Sequence, residues 1–174
     1  MRLSIGLFFV FCCLLLVSCQ KAGRDQMLSD IHSLEKTLAS QSGAMDKTKA
    51  DELIGLQTKF AATFPKDSAS SLMYFQAAGV AHGIQNFQKA VDLLDEFVKA
   101  NPNHDRVPLA LLTQGMTLEQ DLGKQDAARE KYQTVIRQYP NTEYATSARQ
   151  LIGILGVDPA ELVRQFEAKK DTTK

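Results

Sequence analysis

The sequence predicts an all-α fold, a solenoid built from antiparallel helix pairs with capping helices at its ends. Three prolines, Pro65, Pro102 and Pro140, mark segments that recur at spacings of 37 and 38 residues. A repeat period of about 20–50 residues is typical of solenoid architectures. Apolar residues between the prolines follow the i, i+3, i+4, i+7 spacing of a helix face. A small residue stands thirteen positions after each proline, at Ala78, Gly115 and Gly153.

Each repeat reads as two helices joined by a short turn. The first repeat spans residues 68–101, with Asp67 or Ser68 as the cap of its leading helix and an apolar stripe from Phe87 to Val98 in its second helix. The closing proline ends that second helix because its ring removes a backbone donor. The second repeat spans residues 105–139. Its one extra residue is predicted to fall between Gly115 and Ala128, in the loop "DLGKQD".

The ends of the chain depart from the repeat and predict caps. Residues 27–64 read as a capping pair, with Met27, Ile31, Leu34 and Leu38 on one helix face. Residues 143–168 read as terminal helices, the last of them covering the stack with Leu162, Val163 and Phe166. The helical domain thus covers residues 27–168, and residues 169–174 read as a disordered tail.

The N-terminus has the layout of a secretory signal. Arg2 is followed by an apolar run from Leu3 to Val17, and the small residue Ser18 stands directly before Cys19. A membrane-spanning helix needs about 20 apolar residues, so this run is short for one. A charged start, a short apolar middle and a small-residue exit are typical of a secretory signal peptide. An ordinary signal with a chance cysteine, and an anchor left uncut, are the alternatives.

The tetrapeptide Leu16-Val17-Ser18-Cys19 resembles a bacterial lipobox. The resemblance implies that residues 1–18 are a signal peptide cleaved before Cys19, that palmitate-type acyl chains are attached to Cys19, and that residues 19–26 form a lipidated tether. Two acyl chains give stable anchoring where one does not. In such lipoproteins Gln20, which is not aspartate, implies sorting to the outer membrane, facing the periplasm of the cell envelope.

Composition excludes several classes of function. Cys12, Cys13 and Cys19 are the three cysteines of the chain, so cleavage and acylation leave no thiol for a disulfide, a nucleophile or a metal site. Lysine plus arginine and aspartate plus glutamate number 20 each, and their spread gives no basic stripe for a phosphate backbone. Nucleic acid is therefore not predicted as a partner.

No catalytic motif or cofactor site is evident. His32, His82 and His104 are far apart in sequence, whereas zinc needs three or four convergent ligands. No nucleophile elbow, zinc-protease, phosphate-loop or calcium-loop motif occurs. Asp95 and its acidic neighbours read as the solvated face of a helix. The sequence predicts no enzyme, no metal and no cofactor.

The repeat resembles the tetratricopeptide repeat over about residues 48–156. In the first copy the signature residues are Tyr74, Ala78, Ala81, Phe87, Ala90, Leu94, Phe97 and Pro102. In the second they are Leu112, Gly115, Leu118, Gly123, Ala128, Tyr132 and Pro140. The longer period resembles envelope lipoproteins, including the D subunit of the outer-membrane β-barrel assembly complex, and periplasmic repeat proteins associated with the Tol–Pal system. This resemblance implies a right-handed solenoid.

In tetratricopeptide proteins the leading helices line a concave groove that binds other chains. Carried over by position, this implies partner-binding residues on both leading helices, namely Leu72, Phe75, Gly79, His82, Thr113, Thr117 and Gln120. Phe75 and His82 are seven residues apart on one face, and Gly79 leaves room beside them for a backbone. The alternative is that Phe75 belongs to the core and the other positions are hydrated surface.

Two functional classes remain open. The first is a membrane-tethered, periplasm-facing interaction or scaffold module that binds a protein or peptide partner in envelope assembly. The second is an accessory lipoprotein that binds a small ligand or peptide substrate for a neighbouring transporter or enzyme. A contiguous apolar cavity would favour the second class, and an open groove with an aromatic anchor would favour the first.

Overall fold

The computed structural model describes residues 3–157, 160, 161 and 164, with side chains from Lys21 onward. The described residues form helices and turns without a strand, which confirms the predicted all-α class. Leu162, Val163 and Phe166 of the predicted last helix, and the predicted tail 169–174, lie outside the described residues. The chain divides into two compact units, Met1–Asn86 and Phe87–Lys174, so the boundary falls inside the predicted repeat 68–101.

The N-terminal unit consists of α1 (Leu3–Ala39), α2 (Lys47–Thr63) and α3 (Ser70–Gly83). Helix α1 passes without a break through residues 19–26, the predicted tether. Helix α2 begins at Asp46, whose carboxylate accepts hydrogen bonds from the backbone N–H groups of Thr48 and Lys49 and so satisfies two free donors. Packing of α2 against both neighbours buries a cluster of apolar side chains, Ile31, Leu53, Phe60, Ala61 and Met73.

The C-terminal unit consists of α4 (Phe87–Ala100), α5 (Val107–Met116), a π-helical turn (Thr117–Asp121), α6 (Gln125–Gln138) and α7 (Glu143–Ile154). Helix α5 packs against α4 and α6, and α6 packs against α7. The largest fully buried side chains of this unit come from α4, α5 and α6, namely Phe97, Val107, Gln114, Tyr132 and Val135. Thr142 caps α7 by accepting from the N–H of Ala145.

The π-helical turn takes up the extra residue of the second repeat. Two residues with positive φ, Gln85 (φ 62°) and Gly123 (φ 65°), end the corresponding turns and are 38 positions apart, whereas Ala78 and Gly115 are 37 apart. The insertion therefore lies between Gly115 and Gly123. There the N–H of Leu122 donates to the carbonyl of Thr117, five residues back, at 3.1 Å. The predicted insertion in the loop "DLGKQD" is therefore wrong. The extra residue instead widens the last turn of the leading helix into a π-helical turn.

Candidate functional site

Helix α3 carries four of the predicted partner-binding residues on one face. We call this face the α3 strip and define it as Leu72, Phe75, Gly79 and His82. Gly79 and His82 are exposed, and Leu72 and Phe75 are half-buried. The opposite face of α3 is buried and consists of Ser70, Met73, Ala77, Ala78 and Ala81. Phe75 is therefore neither a core residue nor a fully exposed one.

The surface of the α3 strip is open at one glycine and covered near the end of the helix. A Cβ atom added to Gly79 would meet no other atom within 4 Å. At the neighbouring Gly83, by contrast, an added Cβ would lie 3.2 Å from Cε of Met45. The loop between α1 and α2 thus occupies the space over Gly83, and the strip is accessible from Leu72 to His82.

A small hollow lies beside Leu72, between α1 and the start of α3. Its volume is about 260 Å³, and its walls include Leu28 and Ile31 of α1 with Leu72 and Met73 of α3. Glu35 also lines it and accepts a hydrogen bond from the buried Gln57 amide at 3.1 Å. The hollow is smaller than the roughly 300–1,000 Å³ of typical ligand pockets, and its size suits one large side chain.

The C-terminal unit places its three predicted residues at different depths. Thr113 of α5 is half-buried, and Gln120 of the π-helical turn is exposed. Thr117, also in that turn, is only 2% exposed. The two members of the π-helical turn therefore point in different directions, one toward the core and the other toward solvent. Thr113 and Gln120 are thus accessible at the surface, and Thr117 is not.

A polar network beneath this surface was missed by the sequence reasoning. The amide of Gln114, fully buried in α5, donates to the carbonyl of Val91 (3.0 Å) and to Oδ1 of Asp95 (2.7 Å). Lys131 of α6 donates to the same oxygen at 2.7 Å. Burial alone raises the pKa of Asp95, but the hydrogen bonds from Lys131 and Gln114 outweigh it and the net pKa is lowered. Asp95 thus joins three helices and is not simply solvated.

The histidines lie in separate environments. His32 and His82 are exposed, and His104 packs edge-on against Phe97 with ring centroids 5.4 Å apart. Within the part of the chain that the structure describes, no three His, Cys, Asp or Glu side chains are grouped to hold a metal ion. The same residues include no helix with the length and apolar character needed to cross a membrane.

Comparison with known sequences decides the family. Residues 56–156, which run from the middle of α2 past the end of α7, match the family described as YfiO, outer membrane lipoprotein. The chain belongs to the YfiO family. A search of curated proteins finds no match to it.

Membership of the YfiO family establishes the coarse features of the protein. YfiO proteins have a tetratricopeptide-like all-α fold, which confirms the fold class, and they resemble the D subunit of the β-barrel assembly complex. They are lipoproteins of the outer membrane, which confirms the predicted localisation. Their role is protein interaction on the periplasmic side, as accessory or scaffold proteins with partners in the outer-membrane assembly machinery.

Proposed function

We propose that this YfiO protein is a lipid-anchored adaptor that binds a protein partner of envelope assembly through the α3 strip. Residues 1–18 are removed, Cys19 carries the acyl chains, and the helical domain from residue 27 onward projects into the periplasm. The observation that carries the proposal is the α3 strip itself, where a half-exposed aromatic ring lies beside an unobstructed glycine and an exposed imidazole.

The chemistry of the α3 strip suits a peptide or helix of another protein. The open surface at Gly79 lets a partner backbone approach α3 closely. The partly exposed side chain of Phe75 offers an apolar anchor of the kind that concentrates binding energy in protein interfaces. His82 adds a hydrogen-bonding group at one end, and the hollow beside Leu72 adds a socket for one side chain at the other.

The C-terminal unit, considered by itself, carries the other predicted partner-binding residues. Thr113 and Gln120 offer a hydroxyl and an amide, which both donate and accept hydrogen bonds. Thr117 is buried and does not take part. These polar groups suit the backbone of an extended segment, since its N–H and C=O groups need partners when water is displaced.

At the α3 strip, the alternative function, an accessory lipoprotein that holds a small ligand for a transporter or enzyme, is less well supported. The hollow that touches the α3 strip has a volume of about 260 Å³, below the usual range for ligand pockets. Charged and polar side chains, including those of His32 and Glu35, also line it. A partner side chain fits this space better than a whole ligand.

Site-specific photo-crosslinking in cells tests the proposal. A photoreactive amino acid replaces His82 or Gln120 in the acylated protein, and Gly55, an exposed position on α2, serves as the matched control. The proposal predicts a covalent product with an envelope protein from position 82 and, separately, from position 120, and none from position 55. Equal products from all three positions, or none at 82 and 120, would contradict it. A Cys19→Ala protein reports whether the product depends on the lipid anchor.

A further inference from the structure

An ion pair joins the middle of α1 to the turn between α2 and α3. The guanidinium of Arg24 donates from Nε to Oδ2 of Asp67 at 2.5 Å and from Nη2 to Oδ1 at 3.3 Å. The Arg24 hydrogen bonds lower the pKa of Asp67, and a hydrogen bond from the N–H of Ala69 lowers it further. Two parallel contacts between guanidinium and carboxylate fix direction as well as distance.

The turn that receives Arg24 is closed by internal hydrogen bonds. The N–H of Asp67 donates to the carbonyl of Phe64 at 2.9 Å, and the hydroxyl of Ser70 donates to the same carbonyl at 2.6 Å. Phe64 faces inward, with its ring centroid 5.0 Å from that of Phe60. Lys66, by contrast, is exposed. We call residues 64–69 the α2–α3 turn.

The ion pair lies five residues from the proposed acylation site. Five residues span about 7.5 Å as a helix and at most about 18 Å when extended. The polar headgroup layer on one side of a bilayer is about 5–8 Å thick. If Cys19 carries the lipid, Arg24 and the α2–α3 turn bound to it are therefore within reach of the headgroups.

The exposed charges near Arg24 and the α2–α3 turn suit a lipid surface. Lys21 lies two residues after Cys19, and Lys66 lies in the α2–α3 turn, and both side chains are exposed. Arg24 is paired with Asp67 and Asp25. Ammonium groups near a bilayer are attracted to anionic headgroups.

We propose that the α2–α3 turn is the membrane-facing surface of the N-terminal unit, held against the phospholipid headgroups by the Arg24–Asp67 ion pair, with Lys21 and Lys66 contacting lipid phosphates. The opposite end of the unit, the loop 40–46, then points into the periplasm. This inference rests on acylation of Cys19, which is part of the proposed function, and it adds an orientation that the docking of a partner does not require.

The test measures which end of the unit touches lipid. No thiol follows Cys19 in the sequence, so one cysteine can be added and labelled with a fluorophore. Ser68→Cys in the α2–α3 turn and Ser42→Cys in the loop 40–46 are a matched pair of exposed serines. The acylated full-length protein is reconstituted in vesicles of phosphatidylethanolamine and phosphatidylglycerol that carry a headgroup nitroxide. The proposal predicts severalfold stronger quenching at position 68 than at position 42.

A second variant tests the ion pair. Asp67→Asn keeps an oxygen acceptor for the N–H of Ala69 but removes the charge that holds Arg24, so the quenching difference between positions 68 and 42 should shrink severalfold while the circular dichroism spectrum is unchanged. Lys21→Gln together with Lys66→Gln should reduce quenching at position 68. Quenching that is equal at the two positions, or insensitive to these changes, would overturn the proposal.

The outcomes separate this inference from the proposed function. Mass spectrometry of the purified protein reports whether Cys19 is acylated. An unacylated Cys19 would overturn both the anchor and the membrane-facing turn. An acylated protein with no preference between positions 68 and 42 would overturn the orientation alone, and the crosslinks from positions 82 and 120 would be unaffected.

Discussion

The ring of Tyr132 lies directly over Gly115, so close that the two residues pack as one unit. A Cβ atom at position 115 would fall 2.6 Å from Cδ1 of Tyr132, well inside van der Waals contact. Tyr132 is fully buried, and its hydroxyl donates to Oε2 of Glu119 at 2.7 Å. Gly115 therefore sets the spacing between α5, which carries Thr113, and α6, which follows the π-helical turn.

Gly115→Ala should destabilise the protein. The added methyl group overlaps the Tyr132 ring, and overpacking of this kind costs about 1–3 kcal/mol. Gly79→Ala is the matched control, since its Cβ meets open space and replacing a mid-helix glycine gains about 0.5–1 kcal/mol. Urea unfolding of the unacylated Cys19→Ser protein measures both changes. A Gly115→Ala protein as stable as the Gly79→Ala protein would contradict the close contact.

Tyr132→Phe should lower stability at neutral pH by about 1.5 kcal/mol, because it removes a hydrogen bond to a charged group. Burial, followed by the hydrogen bond to Glu119, raises the pKa of Tyr132 above its ordinary value of 10.0. The folded protein therefore keeps the neutral phenol while the unfolded chain ionises. This contribution is fully present below pH 10 and is lost as the pH rises further.

The measurement is the unfolding free energy of the two proteins from pH 7 to pH 11. The parent protein should lose stability more steeply above pH 10 than the Tyr132→Phe protein, so that the difference between them shrinks. Parallel curves over this range would show that Tyr132 is not held neutral by burial.

Gln85 and Gly123 close the equivalent turns of the two leading helices with the same left-handed backbone conformation. Their φ angles are 62° and 65°. Glycine adopts this conformation without a steric cost, whereas other residues lose about 1 kcal/mol. Gln85→Gly should therefore stabilise the protein, and Gly123→Gln should destabilise it by a similar amount. Thermal unfolding of the two variants and the parent tests the pair, and the same sign of change in both would contradict it.

Sequence periodicity was sufficient to predict the class of fold. The proline spacing, the apolar stripes and the small residue at Gly115 each reflect a local requirement of one helix pair, so they can be read without coordinates. The extra residue of the second repeat was located to the interval before Ala128. The sequence did not predict that this residue forms a π-helical turn. The choice between a longer loop and a wider helical turn depends on the packing around Thr117 and Leu118, which are both buried.

The candidate site was predicted less completely, because exposure depends on neighbours far away in sequence. Thr117 follows the register of a groove position, yet it is buried. Met45 lies over Gly83, so the accessible surface of α3 ends at His82. Asp95 looked solvated, and only the approach of Gln114 and Lys131 from other helices gives it a structural role. The ion pair between Arg24 and Asp67 could not be predicted, because the two residues are 43 positions apart and no local sequence pattern links them.

The central claim, that the α3 strip binds a partner, is tested most directly by comparing Gly79→Arg with Gly55→Arg. Both glycines are exposed helix positions where an added side chain meets no atom within 4 Å, and both substitutions raise helix propensity. The acylated proteins are recovered from crosslinked cell envelopes by affinity, and the bound proteins are quantified by mass spectrometry. The account predicts that Gly79→Arg loses the partner while Gly55→Arg retains it at the parent level. Equal recovery of the partner by both variants would contradict the account.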